Sequence, residues 1–275
     1  MKLNFVIKEI PKQAAVAFVS DNHYSPIMPV LTKHWLGGFL DGKLQAVLTL
    51  GWGTQPKATI KKLFPELDTQ DYYEIGKMCL LDELPRNSET QFLSSVIKWM
   101  KMNLSERKFL YTLADGIMGK PGYVYQAASF LYGGYFKTSV YRSNTGEKIH
   151  PRTSKKLCEE NAIFLKKKKV FWLTHDFMET KGIEKYNGLM FRYIFPLNKK
   201  AKKILKNDSL TTVEWNKNYP KGKDLKFWKM MGKGIYEEVE MPTFSYDIIV
   251  QNKKNGAHIK TNRNSTLERF FEGTE

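Results

Sequence analysis

The chain has 275 residues and carries 44 Lys and Arg against 28 Asp and Glu, a formal net charge of +16. At 42% hydrophobic and 13% aromatic residues it has the material for a buried core, which excludes global disorder. No apolar run approaches the ~18 residues of a membrane span, and the two isolated cysteines, Cys79 and Cys158, exclude a disulfide framework and a cysteine-based zinc cluster. A soluble protein in a reducing compartment, with a polyanion as partner and no membrane, is the expectation.

In chain order, Leu3–Ile10 alternates as a strand, and the turn-rich Ser20–Pro26 follows. Leu36–Leu40 and Leu44–Leu50 flank Asp41-Gly42, a strong hairpin signal, and Gly51-Trp52-Gly53 ends the hairpin in a loop. Tyr73–Leu80 reads as a strand and Asp82–Ser88 as a polar loop. Ser88-Glu89-Thr90-Gln91 then reads as a capping box, with Ser88 as N-cap, opening an amphipathic helix. Phe109–Ala114 is a short buried strand closed by Asp115-Gly116, Tyr123–Ser129 a short helix, and Phe130–Phe136 a strand. Val170–Thr174 and Leu189–Phe195 are two further strands, and the pattern weakens from about Asn207. This order predicts an α/β (α+β) fold with a central mixed sheet and flanking helices.

The charge divides unevenly. Residues 1–150 hold 18 basic and 13 acidic residues, and residues 151–275 hold 26 and 15. The second part contains Lys166–Lys169 and then Lys199, Lys200, Lys202, Lys203 and Lys206, with aromatics such as Phe171 and Trp172 among them. Cations meet phosphates and flat rings stack on or wedge against bases, so this interleaving suits a nucleic-acid surface; a solubilising lysine-rich face is the bland alternative.

The blocks EIGKMCLLDELPRNSE (74–89) and YTLADGIMGKPGYVYQAASF (111–130) are similar to the phage Mom-type DNA-adenine modification proteins. Asp21–Ser25 (DNHYS), the hairpin GGFLDGKLQAVLTLG, Ile149–Leu157 and Gly188–Leu205 resemble further motifs of that family, so the likeness spans about residues 20–206. It implies a divergent N-acetyltransferase (GNAT) fold with a basic C-terminal extension. It also implies conversion of adenine in duplex DNA to an N6-carbamoylmethyl (acetamido-type) derivative that shields phage DNA from restriction, in the host cytoplasm. The expected division is a catalytic core at 1–150 and a basic region at 151–275 that completes the sheet and contacts DNA.

Group transfer to an adenine amine needs a donor site, a way to manage the amine's protons, and an acid for the leaving atom. Arg86, Asn87 and Ser88 open a helix and, with Lys77, are the candidates to bind the phosphates of a donor such as acyl-coenzyme A. Ser88 as a mere cap, and Arg86 paired with a nearby acid, are the alternatives. Tyr125 resembles the tyrosine that protonates a departing thiolate, with packing on the sheet as its alternative. Asp115 can orient or deprotonate the amine, or simply make a side-chain turn to the backbone. His23 and Tyr24 complete the catalytic candidates. The resemblance also implies iron, for which His23, Tyr24 and Asp115 offer nitrogen and oxygen ligands.

Trp52 is a candidate base wedge, or folds back onto the sheet. His150 and Arg152, with Lys166, Lys167, Lys199, Lys200 and Lys203, are candidate DNA contacts. The chain departs from the family where Ile75-Gly76-Lys77-Met78 replaces Leu-His-Arg-Met, losing the bidentate fork of arginine. Two other readings stay open: a transferase of the same fold with aminoacyl-tRNA as donor and tRNA as partner, and a basic, catalytically silent DNA-binding protein. A homodimer is compatible with each.

Overall fold

The computed structural model describes residues 2–23, 28–53, 55–149 and 154–245. Its strands are β1 (Val6–Glu9), β2 (Thr32–Leu40), β3 (Lys43–Gly51), β4 (Tyr72–Leu80), β5 (Phe109–Asp115), β6 (Leu131–Arg142), β7 (Lys148–Ile149), β8 (Glu184–Pro196), β9 (Phe227–Gly232) and β10 (Ile235–Val239). They form one mixed sheet in the order β1-β2-β3-β4-β5-β8-β6-β7, with β9 also pairing β8 and β10 pairing β9. The helices are α1 (Lys12–Asn22), α2 (Pro56–Leu63), α3 (Ser88–Asn103), α4 (Tyr123–Ala127), α5 (Lys155–Phe164), α6 (His175–Thr180) and α7 (Lys199–Leu205). The α/β class with a central sheet and flanking helices is the one expected.

The period of two along the central strands explains why helices cover both faces. Tyr73 and Ile75 of β4, with Leu110 of β5, pack under Phe92, Leu93, Val96, Ile97 and Met100 of α3. Tyr72, Phe109 and Tyr111 point the other way, into a core with Ile60 and Leu63 of α2, Ala201 and Ile204 of α7, and Trp215. Each fully buried aliphatic or phenyl side chain here contributes about 1.5–3 kcal/mol. The hairpin turn takes its expected shape, with Asp41 at φ 48° and Gly42 at φ 75° joining β2 to β3.

All pairings are antiparallel except β4 with β5, which are parallel over three residue pairs, from Tyr72↔Phe109 to Glu74↔Tyr111. Beyond them the strands part. β4 runs on to Leu80 held by β3, and β5 runs on to Asp115 held by β8. The separation begins at a β-bulge: Thr49 faces Lys77 and Leu50 faces Ile75, leaving Gly76 as the extra residue that bends β4. A side chain there would meet the Pro29 ring at 2.5 Å, so the close approach of Pro29 requires glycine.

Three expectations are corrected. Ser88 is not the N-cap of α3: Asn87 takes that position in the left-handed region (φ 71°), without a side-chain cap bond. Ser88 is buried and its hydroxyl donates to the Pro85 carbonyl at 2.5 Å, while the Gln91 side chain accepts from the Leu3 amide at 2.6 Å. Val170–Thr174 is a loop, not a strand, because the buried Asn161 holds its backbone by donating to the Trp172 carbonyl. Finally, Ser20 opens no turn; Ser20–Asn22 is the end of α1, a helix whose apolar Ala14, Ala15, Phe18 and Val19 seal β2–β4.

Candidate active site at the parting of two strands

Where β4 and β5 separate, a cleft of about 700 Å³ opens. Ile75–Leu80 of β4 and Leu81 after it line one wall and Leu113–Asp115 of β5 the other. The Pro85–Ser88 loop closes one end, the segment Gly119–Tyr125 another, and His23 lies at the rim. The cleft thus gathers His23, Lys77, Arg86, Asn87, Ser88, Asp115 and Tyr125, which come from five separate stretches of chain. Because the strands have left each other, the backbone amides and carbonyls on their facing edges lack a strand partner, and such groups seek hydrogen bonds.

Asp115 sits at the end of β5 and makes no side-chain turn to the backbone. Its Oδ1 is buried without a hydrogen-bond partner, and its Oδ2 lies 3.8 Å from the Lys148 ammonium on β7. Burial raises the pKa of this carboxyl above the usual carboxylate range, while Lys148, Lys120 and Lys77 pull the other way. Asp115 shares the strand parity of Tyr111 and Leu113, which pack toward α2 and α7.

Tyr125 is on the opposite side of the sheet. Its ring packs at 5.5 Å from Phe130 and 5.6 Å from Tyr193, and burial raises the phenol's pKa, so it stays protonated at neutral pH; Thr112 of β5 beside it opposes the shift. The short α4 is braced by Gln126, which donates to the carbonyls of Pro121 and Pro220 and to the Tyr193 hydroxyl. Gly122 starts this helix at φ 94°, with the Tyr193 ring 2.5 Å from where a Cβ would be, so only glycine lets the loop close.

At the loop end, the long helix α3 presents first-turn amides that no side chain caps. Arg86 is exposed and makes no ion pair among the described residues, so the pairing with an acid is not seen. Cys79 also lines the cleft, but burial pushes its thiol up to about 12, with Asp82 adding to the shift. It is a packing residue, not a thiolate nucleophile.

The candidate DNA contacts lie elsewhere. Lys199, Lys200 and Lys203 are exposed on α7, and Lys166 and Lys167 are exposed just beyond α5. Trp52 does not face the cleft: its indole N–H donates to the Thr69 carbonyl at 2.8 Å and its ring lies 5.5 Å from Tyr73, folded back onto the sheet. Tyr24, His150 and Arg152 fall outside the described residues. Among the described residues no group of three His, Cys, Asp or Glu ligands includes His23 or Asp115, so the geometry adds no support for iron. The group that does come together, His175, Asp176 and Glu179, is on α6. Among the described residues, no helix is long and apolar enough to cross a membrane.

Sequence reasoning missed Lys148, which stands immediately before the Ile149–Leu157 motif and gave no signal of its own. It also missed Gly76 as the hinge of the cleft; a glycine inside a strand pattern is the cue that could have found it.

The sequence pattern of the Mom protein family matches residues 4–221. Methylcarbamoylase mom of Escherichia phage Mu is 29% identical over 209 residues, which cover 75% of this chain and 80% of that protein. Among solved structures, AAC(6')-Ib in complex with paromomycin and acetyl-CoA is 9% identical with a TM-score of 0.38, over 48% of this chain and 86% of that one. An N-acetyltransferase from Staphylococcus aureus Mu50 is 13% identical with a TM-score of 0.35, over 71% and 99%.

Proposed function

Since the chain belongs to the Mom protein family, we propose that it is a DNA-modifying enzyme that converts adenine in duplex DNA to an N6-carbamoylmethyl (acetamido-type) adenine. The relative of phage Mu bears the name methylcarbamoylase, which supports that product class. The observation that carries the reading is the cleft itself: residues far apart in sequence converge where the sheet opens, with an acid on one side and a carboxylate on the other. Modification of this kind protects phage DNA from restriction, and its place of action is the host cytoplasm.

The donor end is the β4–α3 side. An elongated, amide-bearing donor ending in phosphates, as coenzyme A is, fits two features: strand edges with unpaired backbone groups, and uncapped helix amides beside Arg86. Lys77, Arg86, Asn87 and the first-turn amides after Ser88 would hold it, and when bound it would supply the activated group. Aminoacyl-tRNA is the competing donor, and the exposed lysines would serve it equally.

Asp115 would take the proton that the N6 amine loses as its nitrogen bonds to the methylene carbon of the carbamoylmethyl group, while that carbon's bond to the donor's leaving atom breaks; attack on an acyl carbon would instead give an N6-acyl adenine. The raised pKa of Asp115 makes it a stronger base than an exposed aspartate, and Lys148, Lys120 and Lys77 oppose the rise. Tyr125, held protonated by burial, gives its proton to the leaving atom. The parity of Asp115 toward α2 and α7 brings the base in from the face where Lys199, Lys200 and Lys203 stand. Tyr125, on α4, would meet the donor's leaving atom from the opposite face. Residues 1–150 thus carry the transfer site, while residues 151–275 supply β8 to the sheet and a basic surface for the duplex. The target adenine has to leave the base stack to reach the cleft.

A purified reaction tests this. Duplex DNA is incubated with the protein and either coenzyme A donors or charged tRNA, and its nucleosides are analysed by mass spectrometry. A mass-shifted adenine with one donor class supports the transferase and names the donor. Unmodified adenine with both, together with tight salt-sensitive binding, makes the chain a DNA-binding protein instead.

A further inference from the structure

Among the described residues, exposed large apolar side chains elsewhere occur singly or in pairs, such as Val30 with Leu31 and Tyr135 with Phe136. One stretch differs. Within ten residues at the end of α5 and the loop after it, Ile163 (78% exposed), Phe164 (47%), Phe171 (74%) and Trp172 (55%) all face solvent. Between them stand Lys166, Lys167, Lys168 and Lys169, all exposed, and the stretch contains no acidic residue.

The exposure is built in rather than a failure of packing. Val170 and Leu173, on either side of the two rings, are 4% and 6% exposed and belong to a core with Tyr141, Cys158, Phe177 and Met178. Asn161 is fully buried, donates to the Trp172 carbonyl at 2.8 Å and accepts from the Thr174 hydroxyl at 2.8 Å. The Lys167 amide bonds back to the Ala162 carbonyl at 2.8 Å. The backbone is therefore pinned at three points while the rings of Phe171 and Trp172 are turned outward, and the Lys169 ammonium lies 4.7 Å from the Phe171 ring centre. A fixed pair of rings ordered in advance loses little entropy when it binds.

We propose that this loop is a DNA-contacting element in which Lys166–Lys169 meet backbone phosphates and Phe171 and Trp172 pack against base faces exposed where the duplex opens. The assignment rests on the reading of the chain as a DNA-modifying enzyme. It gives the duplex-opening ring role to residues that are exposed, whereas Trp52 is engaged in the sheet. Charge complementarity selects the occupant: four consecutive cations without a neighbouring acid suit a phosphate chain, and aromatic rings stack on any base.

The test uses the full-length protein and a fluorescent duplex, with affinity measured over a salt series. Phe171→Ala with Trp172→Ala should weaken binding about 10-fold or more without changing the slope of log affinity against log salt. Glutamine at all four lysines should reduce that slope by about 3 to 4. Trp172→Tyr should retain most of the binding, and 2-aminopurine at the target adenine should brighten with wild type and not with the double alanine variant. All these positions are exposed, so thermal melts should match wild type. Unchanged duplex affinity and unchanged 2-aminopurine signal in the double alanine variant would overturn the proposal. So would an effect confined to binding of phosphatidylglycerol vesicles, which would make the loop a membrane contact. Nucleoside mass spectrometry of wild type in parallel separates the two claims. Modification by wild type and double variant alike leaves the enzyme reading standing and removes the loop. Loss of duplex binding in the variant, with no modification by wild type, keeps the loop and removes the enzyme.

Discussion

The cleft between β4 and β5 and the Lys166–Trp172 loop use ionisable groups in opposite ways. In the cleft, burial raises the proton affinity of Asp115, the proposed base, and three lysines contest the shift. On the loop, four ammonium groups stay in water and act through number and spacing. The first kind of site depends on the dielectric around a single atom, so one substitution should abolish it. The second is a sum of weak, salt-screened contributions, so single substitutions should be mild and the salt dependence should report them.

The largest expected effect is on the buried side. Asp115→Asn keeps the shape of the side chain and removes the base, and modification rate should fall about 10²-fold or more while duplex binding is kept. Tyr125→Phe should fall similarly, read by the same nucleoside assay. Equal losses of binding and rate in both would erase the contrast between the two regions. Next comes the exposed side: Lys199, Lys200 and Lys203 changed together to glutamine should lower the salt slope of duplex binding by about 2.7, with modification recovering at low salt.

The pH profile should be smaller in amplitude but sharper in meaning. Asp115 must be ionised to accept a proton, and its pKa is raised, so the rate climbs as pH rises through that value. Tyr125 must stay protonated, and its pKa is also raised, so the fall comes only above the ordinary tyrosine range. In Asp115→Asn the residual rate should lack the rising limb.

The smallest effect is on stability. A carboxyl whose folded pKa lies above its unfolded value binds its proton more tightly when folded. Its favourable contribution is therefore complete at low pH and is lost as pH climbs through the folded value. Asp115→Asn should accordingly raise the melting temperature at pH 8, by about 2 °C or more, with the gain shrinking toward pH 4. A melting temperature lowered at pH 8 would mean that the Lys148 contact outweighs the cost of burying the carboxylate.

The sheet was legible because its central strands are short, mostly apolar runs and the Asp41-Gly42 turn joins β2 to β3. The cleft residues were legible through their motifs. What makes them a site was not: the parting of β4 from β5 depends on a one-residue bulge at Gly76, and no local preference announces which strand will lose its partner. Helix α1 went unread because it follows Pro11 without a capping side chain and has only a short apolar face. Ser88 was misread as a cap because its hydroxyl found the Pro85 carbonyl, a contact set by the turn of the preceding loop. Val170–Thr174 has the β-branched and aromatic composition of a strand, yet Asn161, nine residues upstream, decides its conformation.

The central claim is that the cleft transfers a group to adenine with Asp115 as base. The most direct measurement is mass spectrometry of nucleosides from the DNA of cells expressing wild type, Asp115→Asn or Tyr125→Phe. The account predicts an N6-carbamoylmethyl adenine with wild type and its near-absence with both variants, although their protein is folded and bound to DNA. The same modified adenine at wild-type levels from Asp115→Asn would contradict it.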